Sequence, residues 1–302
     1  MISVLIPVFG ESVDAQLASL ASEVKNLNFP VEIIVCDDAN PNPRPPAYTD
    51  YKGIEFRFIQ LDKNLGRSRI RNFLGQEAKY EQLIFIDAEC QPIQSKFIST
   101  YQIKFDENMV LVGGQLFADE MPSRQDHTLR WVYGTKVEAR ELKERVKSPY
   151  RSFMANNFSI SKKLLEKYPF DEEHTGYGHE DTLFGFQLRE NEVEVAHIKN
   201  PIRHRVSESN IDFLDKTTEG IHNLVRLYRN GKLDNHVRLI KMYESLKFTG
   251  FVGLTRSIMS RRRDRYYQDL QKGMGTVRKF SLFKMSEFMI EMRRLDELEK
   301  GA

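Results

Sequence analysis

The chain has 302 residues, of which 40% are hydrophobic and 29% are charged, and this composition is typical of a globular protein with one large α/β domain or two smaller ones. It excludes collagen, a coiled-coil rod and wholesale disorder. The 45 Lys and Arg residues nearly balance the 43 Asp and Glu residues, and the net charge of +2 excludes nucleic-acid binding driven by phosphate neutralisation over the whole chain.

The first half of the chain alternates short β-branched runs with longer amphipathic stretches, which is the pattern of βαβ units around a mostly parallel sheet. Strands are predicted at 3–7, 32–37, 56–61, 82–87 and 109–115. Helices are predicted after Ser12, which can cap the first of them, and at 67–79 and 96–105. The proline-rich segment 40–46 is predicted to be a loop.

The strand pattern stops at 119–151, where a charged, helix-compatible stretch predicts an insertion packed over the sheet. The pattern resumes with a strand at 157–160, a short helix capped by Ser161, a helix at 180–190 and a last strand at 193–198. Beyond about residue 209 the chain has helical periodicity and no strand signal. The sequence therefore predicts an α/β domain over 1–209 and a helical region over 210–302.

Polar residues follow four of the predicted strands, and open α/β sheets bind ligands at the carboxyl ends of parallel strands. These residues are Glu11, the pair Asp37 and Asp38, the segment 64–67, and the pair Asp87 and Glu89. Asp and Asn also end strands for purely local reasons, which explains any one of these positions. Local reasons explain all four positions less well, so we expect a binding site at this edge.

Asp87 and Glu89 are separated by one residue, and in an extended chain that spacing directs both carboxylates to the same side. Carboxylates are the hard oxygen ligands that Mg²⁺ and Mn²⁺ prefer. A cation held there could bridge to a diphosphate and neutralise the charge that develops when a nucleoside diphosphate leaves. The spacing therefore predicts a divalent-metal site at the end of the fourth strand.

The segment 64–72 places Gly66 before a predicted helix and Arg67, Arg69 and Arg71 in its first turns. The arginine fork and the helix N-terminus both favour phosphate. A solvated basic helix face, with Gly66 as a turn residue, is an equally good interpretation. The segment is not a Walker loop, because the chain contains no G-x-x-x-x-G-K-[ST] motif.

A glycine-containing loop, 176–179, leads into Glu180 and Asp181 at the start of a predicted helix. Acids at this position can be no more than a cap that the helix dipole stabilises. They can also supply a general base that takes the proton of an acceptor hydroxyl. His204 follows the last predicted strand, and its position alone leaves open whether it is a structural histidine or a metal ligand.

Five motifs, in this order and spacing, resemble those of the family 2 inverting glycosyltransferases of the GT-A fold. The motifs are Ile-Pro-Val-Phe-Gly-Glu (6–11), Cys-Asp-Asp (36–38), Asn-Leu-Gly-Arg-Ser-Arg-Ile-Arg-Asn (64–72), Ile-Asp-Ala-Glu (86–89) and Gly-His-Glu-Asp (178–181). The resemblance covers Met1 to about Ser207. Residues 178–188 and 202–204 further resemble the galactosyltransferase-type end of chondroitin-polymerase-like enzymes.

The resemblance implies a Rossmann-like, mostly parallel sheet flanked by helices, with a C-terminal helical extension. It also implies roles for single residues. Asp37 would contact the nucleobase, and Asp181, beside Glu180, would be the catalytic base. The metal ligands would be Asp87, Glu89 and His204. The residues implied to bind the donor are Pro7, Phe9, Glu11, Asp37, Asn64, Gly66, Arg67, Arg71 and Asp87.

Two segments depart from the pattern of the family. Glu89 stands where a second aspartate is usual, and its extra methylene changes how a metal would be held. Residues 37–43, Asp-Asp-Ala-Asn-Pro-Asn-Pro, replace the usual D-D-G-S-x-D loop. These departures bear on the metal preference and on the contacts to the base.

The leading hypothesis is an inverting glycosyltransferase, dependent on Mn²⁺ or Mg²⁺, that moves a sugar from a nucleotide-diphosphate donor to a hydroxyl of a glycan or lipid-linked glycan. By analogy with the family, the donor is a UDP-sugar rather than a GDP-sugar. A sugar nucleotidyltransferase should carry a glycine-rich loop after its first strand, and residues 7–11 lack one. The other alternative is a non-catalytic subunit for nucleotide-sugar binding or assembly, and a donor-hydrolysis or transfer assay would separate it from an enzyme.

Basic residues are concentrated in 255–285, where nine Lys and Arg residues accompany two acids. The interleaved apolar residues predict helices on an anionic membrane surface. The alternative is a bundle that packs its apolar residues on the catalytic domain and leaves its arginines solvated.

The sequence also predicts a compartment. The apolar runs are much shorter than the ~20 residues of a spanning helix, and the first residues lack the basic start of a signal peptide. Cys36 and Cys90 are far apart, so neither a disulfide framework nor a cysteine-based zinc site is expected. The expected location is the cytoplasm. If the basic region 255–285 binds a membrane surface, the protein would associate peripherally with the inner face of the cytoplasmic membrane.

Overall fold

Ten strands and eleven α-helices are defined in residues 1–47 and 54–301, the parts of the chain that the computed structural model describes. The strands are β1 (Ile2–Val8), β2 (Val31–Asp37), β3 (Glu55–Gln60), β4 (Gln82–Ile86), β5 (Cys90–Pro92), β6 (Met109–Val112), β7 (Gln115–Leu116), β8 (Asn157–Ser161), β9 (Glu194–His197) and β10 (Ile202–His204). The helices are α1 (Asp14–Val24), α2 (Arg67–Glu77), α3 (Phe97–Lys104), α4 (Thr128–Tyr133), α5 (Leu142–Arg145), α6 (Lys162–Lys167), α7 (Glu180–Glu190), α8 (Asn210–Arg229), α9 (Arg238–Phe248), α10 (Val252–Gln271) and α11 (Val277–Gly301).

Two units divide the chain. The N-terminal unit comprises Met1–Ala118, Ala139–Thr175 and Glu180–Arg205, and the C-terminal unit comprises Asp119–Glu138, Gly176–His179 and the chain from Val206 onward. The two units interleave along the sequence. The division into 1–209 and 210–302, which has a single boundary, stays a prediction about domains.

The N-terminal unit is built on a seven-stranded sheet with the order β3-β2-β1-β4-β8-β6-β9. Neighbouring strands are parallel, except that β8 runs antiparallel to both β4 and β6. A second sheet has the order β5-β10-β7, in which β10 is antiparallel to β5 and parallel to β7. The large sheet is therefore mostly parallel, as predicted.

Helices cover both faces of the large sheet, because successive residues of its central strands point to opposite faces and are apolar on both. Val4 of β1 lies in a core with Leu17 of α1, to which α3 also contributes. The next residue, Leu5, lies in the opposite core with Leu74 of α2, to which α6 and α7 contribute. The predicted α/β architecture is confirmed.

The chain leaves the large sheet at Gly113 and Gly114, so the single strand predicted at 109–115 is two strands in two sheets. A Cβ atom on Gly113 would lie 2.3 Å from the carbonyl oxygen of Asn200, which leaves no room for a side chain. Gly114 has a φ of +87°, in the left-handed region that favours glycine. The corner ends β6 and directs β7 into the small sheet.

The two predicted helix caps have different outcomes. Ser161 Oγ accepts the Leu164 N–H at 3.0 Å and caps α6, as predicted. The cap predicted at Ser12 is wrong, because α1 begins at Asp14 and Val13 occupies the cap position. Ser12 Oγ instead donates to the Asp14 carboxylate at 2.9 Å.

The C-terminal unit contains no strand in its described residues, in agreement with the helical character predicted beyond residue 209. Its first long helix, α8, starts with a capping box between Ser209 and Asp212. Within 1–47 and 54–301, no helix combines the length and the apolar character that crossing a bilayer requires.

Residues 119–138, part of the predicted insertion 119–151, belong to the C-terminal unit, and the packing of 119–151 over the sheet stays a prediction. Leu129 of α4 is buried in a cluster with Phe213 of α8 and Phe280 of α11. Its N–H donates to Asn210 Oδ1 at 2.8 Å, a partner 81 residues later in the chain. Because the packing partners are so distant in sequence, local periodicity indicates the helix but not the layer it joins.

Candidate functional site

The carboxyl ends of β1 and β2 lie side by side, with Val8 paired to Asp37 in the sheet register. Asp37 is buried, and its Oδ1 accepts the N–H of Asn40 at 2.7 Å. Its Oδ2 has no hydrogen-bond partner among residues 1–47 and 54–301. An unused buried carboxylate oxygen at the ligand edge of the sheet is available to accept a hydrogen bond from a bound molecule.

Asp38 clamps the loop before α2 to the end of β2. Its carboxylate accepts the N–H groups of Leu65 at 2.6 Å and Gly66 at 2.9 Å, and its carbonyl oxygen accepts the side-chain amide of Asn64 at 2.9 Å. Burial raises the pKa of Asp38 above its usual range, although the two N–H donors oppose the shift. Asp38 is missing from the predicted site residues. The only feature of the sequence that could have indicated its role is that it directly follows Asp37 at the end of the strand.

Ala39 adopts a φ of +58° directly after this acid pair. That left-handed conformation costs an L-residue about 1–2 kcal/mol relative to glycine. Glycine is the usual residue at this position in the loop pattern that the sequence resembles. The chain therefore makes a left-handed turn here with alanine, where glycine would adopt it without this cost.

The predicted residues at the end of β1 lie at the same edge. Pro7 is within β1, Phe9 is exposed, and Glu11 Oε2 accepts the N–H of Phe9 at 3.0 Å. Gly10 between them has a φ of +92°. The hydrogen bond from Phe9 to the Glu11 side chain thus stabilises the loop after β1. Pro7, Phe9 and Glu11, three predicted donor-binding residues, all lie at the ligand edge.

Arg71 is the centre of the site. It is only 2% exposed, and its Nη2 contacts Asp87 Oδ1 at 2.7 Å. Its Nη1 donates to the carbonyl oxygen of Arg67 at 3.0 Å and lies 3.8 Å from Glu180 Oε1. Its guanidinium lies 5.7 Å from the centre of the Phe170 ring. The interpretation as a solvated basic helix face is therefore wrong for Arg71, which links the end of β4 to the start of α7.

Arg67 is the second arginine that lies close to Glu180. Its Nη1 lies 3.4 Å from Glu180 Oε1, and its side chain is 46% exposed, so one end of this helix still faces solvent. Arg69 pairs with Glu172 at 3.8 Å, away from Glu180. Two of the three arginines at the start of α2 therefore point into the site.

Glu180 and Asp181 have opposite electrostatic environments. Burial alone would raise the pKa of Glu180, but the charges of Arg67 and Arg71 outweigh it and hold that pKa below its usual range. Burial raises the pKa of Asp181 to about 7, and the negative charge of Glu180 adds to the shift. Neighbouring carboxyl groups whose pKa values are pushed apart can take different roles, and Asp181 is poised to exchange a proton near neutral pH.

Asp181 makes its hydrogen bonds through one oxygen. Oδ1 accepts the Thr182 N–H at 2.6 Å and the Thr182 hydroxyl at 3.3 Å. Oδ2 accepts no hydrogen bond from any residue in the described parts of the chain. The second oxygen is therefore available to accept a proton from a bound molecule.

The loop that precedes Glu180 belongs to the C-terminal unit and is held by α8. Glu219 Oε1 accepts the N–H of Tyr177 at 2.8 Å, and Asn223 donates its side-chain amide to the carbonyl oxygen of Tyr177 at 2.9 Å. Gly176 and Gly178 have φ values of +85° and +86°. The glycines of this motif thus allow backbone conformations that other residues rarely adopt.

Glu89 and His204 come together, but Asp87 faces elsewhere. Glu89 Oε2 lies 3.3 Å from His204 Nε2, whereas the Asp87 carboxylate is paired with Arg71. Strand β4 ends at Ile86 and the chain turns at Asp87, so the extended geometry assumed for the one-residue spacing does not apply. Among the described residues, no group of three His, Cys, Asp or Glu side chains is arranged to hold a metal.

The Glu89–His204 pair nevertheless fits one divalent cation. Two ligand atoms about 2.1 Å from an ion and at right angles to each other are about 3 Å apart, close to the observed separation. A carboxylate oxygen suits both Mn²⁺ and Mg²⁺, and an imidazole nitrogen favours a transition-metal ion such as Mn²⁺ over Mg²⁺. The three-residue ligand set of Asp87, Glu89 and His204 stays a prediction.

Distant residues fix the turn that carries Glu89. Gln16 of α1 donates to the carbonyl oxygens of Asp87 at 3.1 Å and Cys90 at 2.6 Å. Arg205 donates its side chain to the carbonyl oxygen of Ala88 at 3.0 Å and its N–H to that of Glu89 at 2.9 Å. Neither Gln16 nor Arg205 is a predicted site residue, because their partners lie 71 to 117 residues away and no local motif marks the contact.

Residues 3–167, more than half of the chain, match the family described as glycosyl transferase family 2. The chain belongs to this family. The predicted resemblance is confirmed, and membership of this family makes the chain a glycosyltransferase.

The chain is similar to two curated synthases of Pasteurella multocida. It is 25% identical to a chondroitin synthase of strain Pm70 and 23% identical to a hyaluronan synthase, and each alignment covers 62% of this chain. The chain spans only 23% and 22% of the length of these relatives. The likeness therefore concerns one part of each relative.

Among solved structures, the chain is similar to the mannosyltransferase PcManGT from Pyrobaculum calidifontis in complex with GDP-Man and Mn²⁺. The TM-score is 0.55 at 10% sequence identity, covering 99% of this chain and 87% of that chain. A likeness at this identity concerns the fold. It confirms the predicted GT-A fold with C-terminal helices.

Proposed function

We propose that this family 2 glycosyltransferase is an inverting, metal-dependent enzyme that moves a sugar from a UDP-sugar to a hydroxyl of a glycan or lipid-linked glycan. The observation that carries the proposal is the pairing of the buried Arg71 with two acids: Asp87, a predicted donor-binding residue, and Glu180, the neighbour of the predicted base Asp181. The similarity to chondroitin and hyaluronan synthases supports a glycan as the acceptor.

Asp181 acts as the general base. Its Oδ2 takes the proton of the acceptor hydroxyl while that oxygen attacks the anomeric carbon of the donor. The bond from the anomeric carbon to the diphosphate oxygen breaks in the same displacement, so the configuration inverts and the nucleoside diphosphate leaves with the bonding electron pair. A single base is enough for this one-step transfer.

Glu180 keeps Asp181 in the range where a base is useful. It stays ionised because Arg67 and Arg71 lie within 3.4 Å and 3.8 Å of its Oε1, and its charge raises the pKa of Asp181. Arg71 also orients Asp87 at the end of β4. Asp37 would receive the nucleoside together with Asn64 and Gly66, which Asp38 holds at the end of β2.

Glu89 and His204, with Asp87 as the third expected ligand, would hold Mn²⁺ or Mg²⁺. When bound, the cation would supply positive charge to the departing diphosphate. The hydrogen bonds from Gln16 and Arg205 hold the backbone of the turn at residues 87–90 and thereby orient Glu89.

A screen of nucleotide sugars by thermal unfolding tests the donor. A ligand that binds only the folded state at 100 times its Kd adds about 2.7 kcal/mol, which for a chain of this size corresponds to a Tm increase of about 4 °C. We expect this increase with a UDP-sugar and Mn²⁺, and we expect Asp37→Ala to lose it. A GDP-sugar as the only stabilising ligand would contradict the donor, and no stabilisation by any nucleotide sugar would contradict the function.

The pH dependence of kcat/KM tests the base. Because the base must be deprotonated and its pKa is raised to about 7, kcat/KM is expected to fall about tenfold per pH unit below that value. Glu180→Gln removes the charge that raises this pKa, so its profile should move to lower pH. A flat profile between about pH 5 and 8 would remove Asp181 from the mechanism, whereas no displacement in Glu180→Gln would show that burial alone raises the pKa of Asp181.

Two free cysteines are compatible with a reducing compartment, and we place the reaction in the cytoplasm. Cys36 and Cys90 are both buried free thiols. Burial raises the pKa of Cys36 to about 12, so this thiol has little thiolate character at neutral pH. Neither cysteine has the exposure that a disulfide partner from another chain would need.

A further inference from the structure

Large apolar side chains are exposed where α9 ends and α10 begins. Phe248, the last residue of α9, is 94% exposed, and Phe251, Leu254 and Ile258 are 56%, 60% and 43% exposed. Gly250, with a φ of +77°, makes the tight turn between the two helices. We call residues 247–265 the helical tip. Exposed apolar clusters of this kind are typical of surfaces that bind another protein, a membrane or a ligand.

The apolar residues of α10 share a face with basic ones. Residues 251, 254, 258, 261 and 265 recur at spacings of three and four, which places them on one side of the helix. The apolar members occupy the first turns, and Arg261 follows Leu254 by about 10 Å along the axis. One helical face therefore has an apolar end and a basic continuation.

The helical tip contains six Lys and Arg residues and a single acid, Asp264. Residues 247–263 include Lys247, Arg256 and the run 261–263, and they contain no Asp or Glu. Arg263 turns inward to Glu287 and pairs with Asp264 at 3.1 Å. Arg261 and Arg262 are exposed and form no ion pair with any residue that the structure describes. Their charge is available to an anionic partner.

Other apolar residues of this basic region are not available, because they form the interior of the C-terminal unit. Leu270, Phe280 and Phe283 are buried in one cluster with Leu129 and Phe213. The apolar residues that looked uniform in the sequence thus divide into two groups. One group stabilises the unit, and the exposed group at the tip contributes nothing to its core.

We propose that the helical tip docks on an anionic lipid bilayer. Phe248, Phe251, Leu254 and Ile258 enter the boundary between head groups and acyl chains, and Arg261, Arg262 and Arg265 contact lipid phosphates. Charge decides between occupants: a second copy of the chain would bring its own arginines against these arginines, whereas an anionic head-group layer is complementary to them. The proposal is independent of the proposed transfer reaction.

Co-sedimentation of the full chain with vesicles tests the proposal. We expect binding to vesicles that contain phosphatidylglycerol, weakened by added salt, and much weaker binding to pure phosphatidylcholine. Arg261→Gln with Arg262→Gln should weaken partitioning by roughly 30-fold, since each basic residue near an anionic surface contributes roughly fivefold and the two factors multiply. Phe248→Ser with Phe251→Ser should weaken it by more than about tenfold.

Matched controls separate the tip from general surface effects. Lys104→Gln with Lys163→Gln removes the same charge from exposed positions of the N-terminal unit, and Ile103→Ser removes an apolar side chain that is 78% exposed there. Both controls should bind like the unmodified chain, and all variants should keep its Tm because the replaced side chains are exposed. Equal binding to both kinds of vesicle, or equal loss in the controls, would overturn the proposal. Dimerisation abolished by the phenylalanine substitutions would assign the tip to a second copy instead.

Discussion

Asp181→Asn is expected to lower kcat by about 10²–10⁴, the usual cost of losing a general base. The amide cannot take the proton of the acceptor hydroxyl. Its oxygen can still accept the two hydrogen bonds from Thr182, so the start of α7 should keep its conformation. Donor binding should be unchanged, because Asp37 and the loop that Asp38 clamps are unaltered. Release of nucleoside diphosphate measures kcat, and calorimetric titration with donor measures binding.

Glu180→Gln is the matched control for this experiment, because it neutralises the adjacent acid. Glu180 is paired with Arg67 and Arg71, and we expect its neutral variant to keep turnover at a lower pH optimum. Unchanged turnover in Asp181→Asn together with loss of turnover in Glu180→Gln would transfer the role of base to Glu180. A lowered Tm in Asp181→Asn would show instead that the side chain is structural.

Removal of divalent metal by a chelator is expected to abolish transfer, and Mn²⁺ or Mg²⁺ should restore it. The expectation rests on Glu89 Oε2 and His204 Nε2, which are 3.3 Å apart and can reach one ion. His204→Ala should weaken Mn²⁺ binding by more than about tenfold, since loss of even an outer-shell partner costs about 10–100-fold. Paramagnetic titration of Mn²⁺ measures this binding without any assay of activity.

A second histidine provides the control for metal binding. His236 pairs with Asp234 at 2.7 Å in the C-terminal unit, and His236→Ala should leave Mn²⁺ affinity unchanged. Full activity in excess chelator would contradict the metal requirement. In that case Arg67 and Arg71 would be the groups that neutralise the diphosphate, and Arg67, which is 46% exposed, would carry the larger share.

The alternation of strands and helices could be predicted from the sequence because both signals are local. The apolar runs of β1, β2 and β4 and the helical period of α2 and α7 lie within windows of about ten residues, and their bounds agree with the structure to within a few residues. The short strands β5, β7 and β10 were not predictable. Strands of two or three residues carry no periodicity, and pairing across the small sheet alone defines them.

The residues of the site could also be located from their order in the sequence, since each follows a strand or begins a helix. Their contacts could not. A one-residue spacing suggested that Asp87 and Glu89 act together, but the turn after Ile86 directs Asp87 to Arg71 and Glu89 to His204. In the same way, the motif 64–72 contains three arginines, and only the packing of α2 against Phe170 and the start of α7 makes Arg71 the buried one.

The sequence by itself therefore determined the family, the α/β order of elements and the positions of the polar residues at strand ends, because backbone propensity and hydrophobic period are properties of neighbours in the chain. Tertiary structure decided which acids meet which cations, which segment each helix joins and which apolar residues stay in solvent. Contacts such as Gln16 with Asp87, 71 residues apart, depend on the closure of the sheet and its layers. Their free energy is gained only when distant segments are brought together, so no local pattern records them.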